Sequence, residues 1–107
     1  MTDTTASITV RGNVFAALGF DDPEEELAKA EIITRIEYAL HARGVEPVAA
    51  AVGLGWEPAA FNALFHGAWQ DATLDRLLQT LRALGTSVSI TLSEANDENG
   101  RLRVVTA

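Results

Sequence analysis

Two glutamate–proline pairs, Glu46-Pro47 and Glu57-Pro58, stand on either side of a Gly53-Leu54-Gly55 turn. No other feature constrains the fold of this chain as strongly. Proline lacks an N–H and holds φ near about −65°, so it suits the first position of a helix and interrupts almost any other regular structure. A polar residue just before it sits where a cap is needed. The spacing predicts two short helices joined by a tight turn, one from Glu46-Pro47 to about Val52 and one from Glu57-Pro58 to about His66. Ala49, Ala50 and Ala51 let the two approach closely, and Val52, Leu54, Trp56, Phe61, Leu64 and Phe65 are the expected core.

Signals on both sides extend this unit. Asp22 can cap a helix whose first position is Pro23, and Glu24, Glu25 and Glu26 then lie at the positive end of its dipole. Leu27, Ile32, Ile33, Ile36 and Leu40 give that long helix an apolar face, and Gly44 ends it. His41 complements the dipole at its far end. Thr73 caps a further helix carrying Leu74, Leu77, Leu78, Leu81 and Leu84, with Gly85 as the stop. The period then changes to two: Val88, Ile90 and Leu92 alternate with Ser87, Ser89, Thr91 and Ser93, which predicts a half-buried strand. A polar turn over 94–100 follows, and Leu102 and Val104 fit a returning strand. Before the long helix, Ile8-Thr9-Val10 fits a short strand and Asn13 to Leu18 one helical turn. The fold class expected is mainly α with a small β element. The chain reads as a single domain over 1–107, with an N-terminal arm at 8–20, a long helix at 22–43, a helical core at 44–85 and a strand or hairpin at 87–105, a candidate dimerisation element.

Composition limits what such a domain does. The chain holds eight Lys and Arg against fifteen Asp and Glu, a net charge of −7, and Lys29 is its single lysine. Affinity for DNA comes largely from cations meeting phosphates, so this balance works against an interface that relies on charge. Without cysteine there are no disulfides or thiolate metal sites, and His41 and His66 lack partner ligands, so no metal and no cofactor is expected. No apolar run reaches the roughly 20 residues of a membrane span, and no secretory pattern opens the chain. The expected location is cytoplasmic, without membrane contact.

In order and spacing the chain resembles the small helix-turn-helix regulators of the Cro/repressor (XRE-like) type, in particular their antitoxin-like branch. Gly12-Asn13-Val14-Phe15-Ala16 with Leu18-Gly19 resembles that branch's opening, and Lys29-Ala30-Glu31 the start of its long helix. Leu74-Asp75-Arg76-Leu77-Leu78, Leu84-Gly85 and Val88-Ser89-Ile90 resemble its closing helix and strand. Within the motif, Arg43-Gly44-Val45 leads in, Ala50-Ala51 belongs to the packing helix, Gly55 marks the turn and Leu64-Phe65-His66-Gly67 ends the recognition helix. The resemblance implies a lambda-repressor-like bundle followed by a C-terminal strand or hairpin. It also implies that Phe61 is the buried anchor of the recognition helix and that Trp56 fills the apolar place before its cap.

The departures fall on the face that would meet DNA. Such regulators usually start both motif helices with glutamine; here Pro47 and Pro58 stand there, without a side-chain donor or a backbone N–H. The recognition helix offers Ala59, Ala60, Asn62 and Ala63 where polar side chains usually read base edges. His66 and Ala68 replace the expected basic residues near its end, and Glu46 and Glu57 add negative charge at the two helix starts. The recognition helix is degenerate in this sense. The remaining DNA-binding candidates are Asn62, which can pair with adenine, His66, whose imidazolium form can meet a phosphate, and Arg43. Arg43 reads first as a solvated helix-end charge opposing the dipole, and only second as a phosphate clamp.

Two functions follow as expectations. One is a DNA-binding transcriptional regulator or antitoxin acting as a homodimer, with Val88, Ile90 and Leu92 pairing between chains. The other is a protein-interaction module on the same scaffold that does not bind DNA, with Phe61, Phe65 and Trp69 as packing or partner-contact residues and a toxin-like protein as partner. An enzyme is not expected. Asp71 and Asp75 flank a helix start where acids are structurally favoured, Ser87, Ser89 and Ser93 lack a His–Asp set, and no Gly-rich phosphate loop occurs.

Overall fold

The computed structural model describes Gly19, residues 22–94 and residues 100–106. The strand and helical turn expected at 8–18 lie outside the described residues, as do residues 95–99 of the polar turn. The described part holds four α-helices: α1 (Pro23–Ala42), α2 (Pro47–Ala51), α3 (Pro58–Leu64) and α4 (Leu74–Ala83). A single 3-10 turn, Val52–Leu54, continues α2. The chain divides into two compact units, Lys29–Ser89 and the residues on either side of it.

Helix α1 starts as its sequence requires. Asp22 accepts the Glu25 N–H through Oδ1 and the Glu26 N–H through its carbonyl, both at 3.1 Å, and three glutamates fill the first turn. Its C-terminal end closes with a pair of bonds: Val45 N–H donates to the Leu40 carbonyl (3.1 Å) and Gly44 N–H to that of His41 (3.0 Å). The same pair, two otherwise orphaned carbonyls bonded across a glycine, ends α4 through Thr86 to Leu81 and Gly85 to Arg82. It also forms the turn between α2 and α3. There Trp56 N–H reaches the Ala51 carbonyl at 2.9 Å and Gly55 N–H that of Val52 at 3.1 Å, with Gly55 at φ +82°.

The core of the Lys29–Ser89 unit is one layer of side chains. Helix α1 contributes Ile32, Ile33, Ile36 and Leu40; the two motif helices and their turn contribute Ala51, Trp56, Phe61 and Leu64; Ala72 and, from α4, Leu77, Leu81 and Leu84 complete it. Lys29 lies on the same stripe of α1 and is only 4% exposed, its ammonium 3.4 Å from the Gln70 carbonyl. A charge this deep needs acceptors, and the backbone supplies one.

One expectation needs correction, and a second finds no counterpart among the described residues. Val52, expected in the core, is 74% exposed. The fully buried Ala51 turns inward, and the next residue in a helix lies about 100° round the axis. The C-terminal strand or hairpin is not found: among the described residues no strand is formed, and 86–94 and 100–106 carry no regular structure. A strand exists through its ladder. The Leu102 N–H instead donates to the Glu24 carboxylate at 3.0 Å, which also takes a hydrogen bond from the Arg101 guanidinium at 3.1 Å. Among the described residues no helix is long and apolar enough to cross a membrane.

Candidate nucleic-acid interface

Helix α3 is held firmly from one side. Phe61 and Leu64 are buried, and Phe61 meets the Trp56 ring at 5.5 Å and the Phe65 ring edge-on at 5.3 Å. Its other side is open: Ala59, Ala60, His66, Gly67 and Ala68 are exposed, and Asn62 and Ala63 are half-buried. A helix this short, with seven residues, is not stable by itself; the aromatic row beneath it and the cap at its start hold it.

That cap is Glu57. Its two carboxylate oxygens accept the Ala60 N–H at 2.9 Å and the Ala59 N–H at 3.2 Å. The first free amides of α3 are thereby satisfied by an anion of the chain itself. Glu46 stands in the same sequence context before α2, yet its side chain makes no cap bond.

The sequence candidates are placed as follows. The Asn62 side chain is half-buried, and its backbone carbonyl faces His66 Nδ1 at 3.0 Å. That carbonyl can only accept, so Nδ1 carries the proton and Nε2 of the exposed ring is left for an outside group. Arg43 is exposed in large part, but Nη2 donates to the Leu84 carbonyl at 2.6 Å, at the end of α4. Its guanidinium supports a helix C-terminus there. Phe61 is fully buried, so it packs and cannot touch a partner; Phe65 and Trp69 are half-buried. Val88 is half-buried, while Ile90 and Leu92 are 76% and 89% exposed.

Arg76 and Thr80 were not among the sequence candidates, although they position the site. Trp56 Nε1–H donates to Thr80 Oγ1 at 2.8 Å, and that hydroxyl donates to the Arg76 carbonyl at 2.9 Å. The Arg76 guanidinium lies over the indole ring and donates to the Gly55 carbonyl at 2.7 Å. Thr80 sits between Leu77 and Leu81 on the apolar stripe of α4, a polar residue in an apolar place. That position was the signal that it satisfies a buried donor.

The electrostatics match the sequence. From residue 44 to residue 75 there is no lysine or arginine, while Glu46, Glu57, Asp71 and Asp75 are all exposed. The two arginines that bound this span each donate to a backbone carbonyl.

A packing helix, a glycine turn in left-handed backbone and a second helix anchored below and bare above form a helix-turn-helix, the device that presents a helix to a DNA groove. The chain belongs to a family of helix-turn-helix domains, whose model matches residues 14–93. Membership suggests a DNA-binding regulator, and such domains are typically regulatory and not enzymatic. No curated protein and no solved structure gives a significant match.

Proposed function

We propose that the protein is a DNA-binding transcriptional regulator of the Cro/repressor type, in its antitoxin-like branch, acting as a homodimer. One observation carries this reading: α3 is fixed by Phe61 and Leu64 on one side and bare on the other. Reading would be sparse. Asn62 would pair with adenine, and the methyls of Ala59, Ala60 and Ala63 would lie against thymine methyls, which weights the operator toward A·T pairs. A good bidentate base contact contributes about 1–3 kcal/mol, so one asparagine gives modest discrimination in each half-site. The imidazolium form of His66 would add a phosphate contact through Nε2–H, and Arg43 another through the guanidinium N–H groups that do not hold the Leu84 carbonyl.

The dimer reading has support in the pattern of 86–94. About a two-fold axis through Ile90, an antiparallel pair sets Val88 against Leu92 and Ile90 against its mate. On the other face Ser89 meets Thr91 and Ser87 meets Ser93. Over 87–93 every apolar residue finds an apolar partner and every hydroxyl a hydroxyl. Ile90→Asp would set two like charges across the axis, and light scattering should then report a monomer. A persisting dimer would place the interface elsewhere.

The test of function is a fluorescence titration of a labelled duplex from the region upstream of the gene, over a salt series with unrelated DNA as competitor. Binding that survives the competitor is expected, with a shallow salt slope because few cations reach phosphate. No binding at low salt overturns the reading.

A second reading has its own observation, the cation-free, acid-bearing span from 44 to 75. It makes the domain a protein-interaction module that has kept the scaffold without reading DNA, with a basic, toxin-like protein as partner.

A further inference from the structure

Helix α2 carries a solvent-facing apolar surface that the DNA reading does not use. Val48 is 53% exposed, and Val52, one helical turn further on, shares its face. Ala49 and Gly53 beside them are exposed as well. Both valines are β-branched and stiff, so they lose little side-chain freedom when covered.

The neighbouring acid has a distinctive state. Glu57 and Glu46 occupy equivalent places, each directly before a proline that opens a helix. Glu57 turns its carboxylate inward onto two amides, whereas Glu46 makes no cap bond and is exposed. Its charge is therefore left for an outside cation. Across 44–75 no lysine or arginine of the chain competes with such a cation for the Glu46 carboxylate.

We infer that the Val48–Val52 face of α2, with Glu46 at its edge, is a docking surface for a basic protein: an apolar contact that covers the valines, flanked by a lysine or arginine that meets Glu46. The inference rests on the interaction reading above and deepens it by naming the surface and the partner's chemistry. A second copy of this chain is the poorer occupant, because its net charge of −7 opposes self-association through an acidic edge.

The test uses the full chain, labelled with 15N, and an amphipathic leucine–lysine peptide as probe. A leucine–glutamate peptide of the same apolar pattern is the control. The lysine peptide should shift the amides of 45–54 to saturation, and the glutamate peptide should not. Val48→Ser with Val52→Ser removes apolar contact at exposed positions where the fold has little at stake, and should weaken binding about tenfold. Glu46→Gln should weaken it a few-fold, with an effect that fades in high salt. Saturable binding elsewhere, or unchanged affinity in the valine double variant, overturns this surface and leaves the interaction reading standing. No binding of the lysine peptide anywhere overturns both.

Discussion

Arg76 lays its guanidinium on the Trp56 indole, 3.8 Å from the ring centroid, and donates to the Gly55 carbonyl at 2.7 Å. One side chain of α4 thus clamps both the turn of the motif and the aromatic that supports the recognition helix. Thr80 holds the same indole through its N–H. Arg76→Ala should cost about 2 kcal/mol, the sum of an exposed cation–π contact and one charge-assisted hydrogen bond, each at the low end of its range. Thr80→Val keeps the shape but leaves the buried indole N–H without an acceptor, at a cost of about 1–3 kcal/mol. Urea unfolding followed by tryptophan fluorescence measures both. Because Arg76 works internally, its removal should leave the salt slope of any DNA binding unchanged once the variant is folded.

The two glutamate–proline starts give an internal comparison. Glu57→Ala removes an acceptor from two amides and should destabilise the chain by about 0.5–2 kcal/mol, the range for a lost N-cap. Glu46→Ala removes a side chain that caps nothing and should change stability by a few tenths at most. Equal losses in denaturant unfolding would mean that the Glu57 bonds contribute nothing net.

The helices were legible in the sequence because their ends are written in rigid chemistry. Pro23, Pro47, Pro58 and Thr73 mark starts, and Gly44, Gly55 and Gly85 mark stops, each through a local backbone preference that needs no tertiary context. The roles of individual polar residues were less legible. Arg43 and Arg76 read as surface cations, and only the folded chain brings them to the Leu84 and Gly55 carbonyls, 41 and 21 residues away in sequence. Val52 was misassigned because the apolar pattern of α2 is too short to fix a helix phase, and the small Ala51 gave no hint that it, and not the larger valine, faces inward. The segment 87–105 has the alternation of a strand, but alternation does not supply a ladder partner.

Gly55 isolates a pure backbone effect. A Cβ built there meets nothing within 4 Å, yet the residue holds φ +82°. Gly55→Ala should therefore cost about 1–2 kcal/mol, the left-handed penalty alone, with no repacking of its neighbours. Gly55→Asn, which tolerates that region better, should recover part of the loss in thermal unfolding.

Glu24 makes the tie to Arg101 and Leu102 dependent on pH. The Leu102 N–H holds its carboxyl below the ordinary value; partial desolvation opposes this, and the Arg101 hydrogen bond and charge reinforce it. A depressed folded pKa means stabilisation that is present above the unfolded value and lost as pH falls through the folded one. The Leu102 amide resonance should thus move in acid with a midpoint below that of a free glutamate, and should stop titrating in Glu24→Gln. A midpoint at or above the ordinary value contradicts the hydrogen bond.

Glu31 has the opposite sign. Desolvation on α1 raises its pKa, and the charge of Arg35 offsets this only in part. The folded chain then binds a proton more readily than the unfolded one at this site, so the site destabilises the fold when it is ionised and not when it is protonated. Glu31→Gln should raise the melting temperature slightly at pH 7. The gain should shrink as pH falls through the raised folded value and vanish below the unfolded one. A gain that stays constant across that window would trace to helix propensity or packing and would remove the ionised carboxylate as the cause.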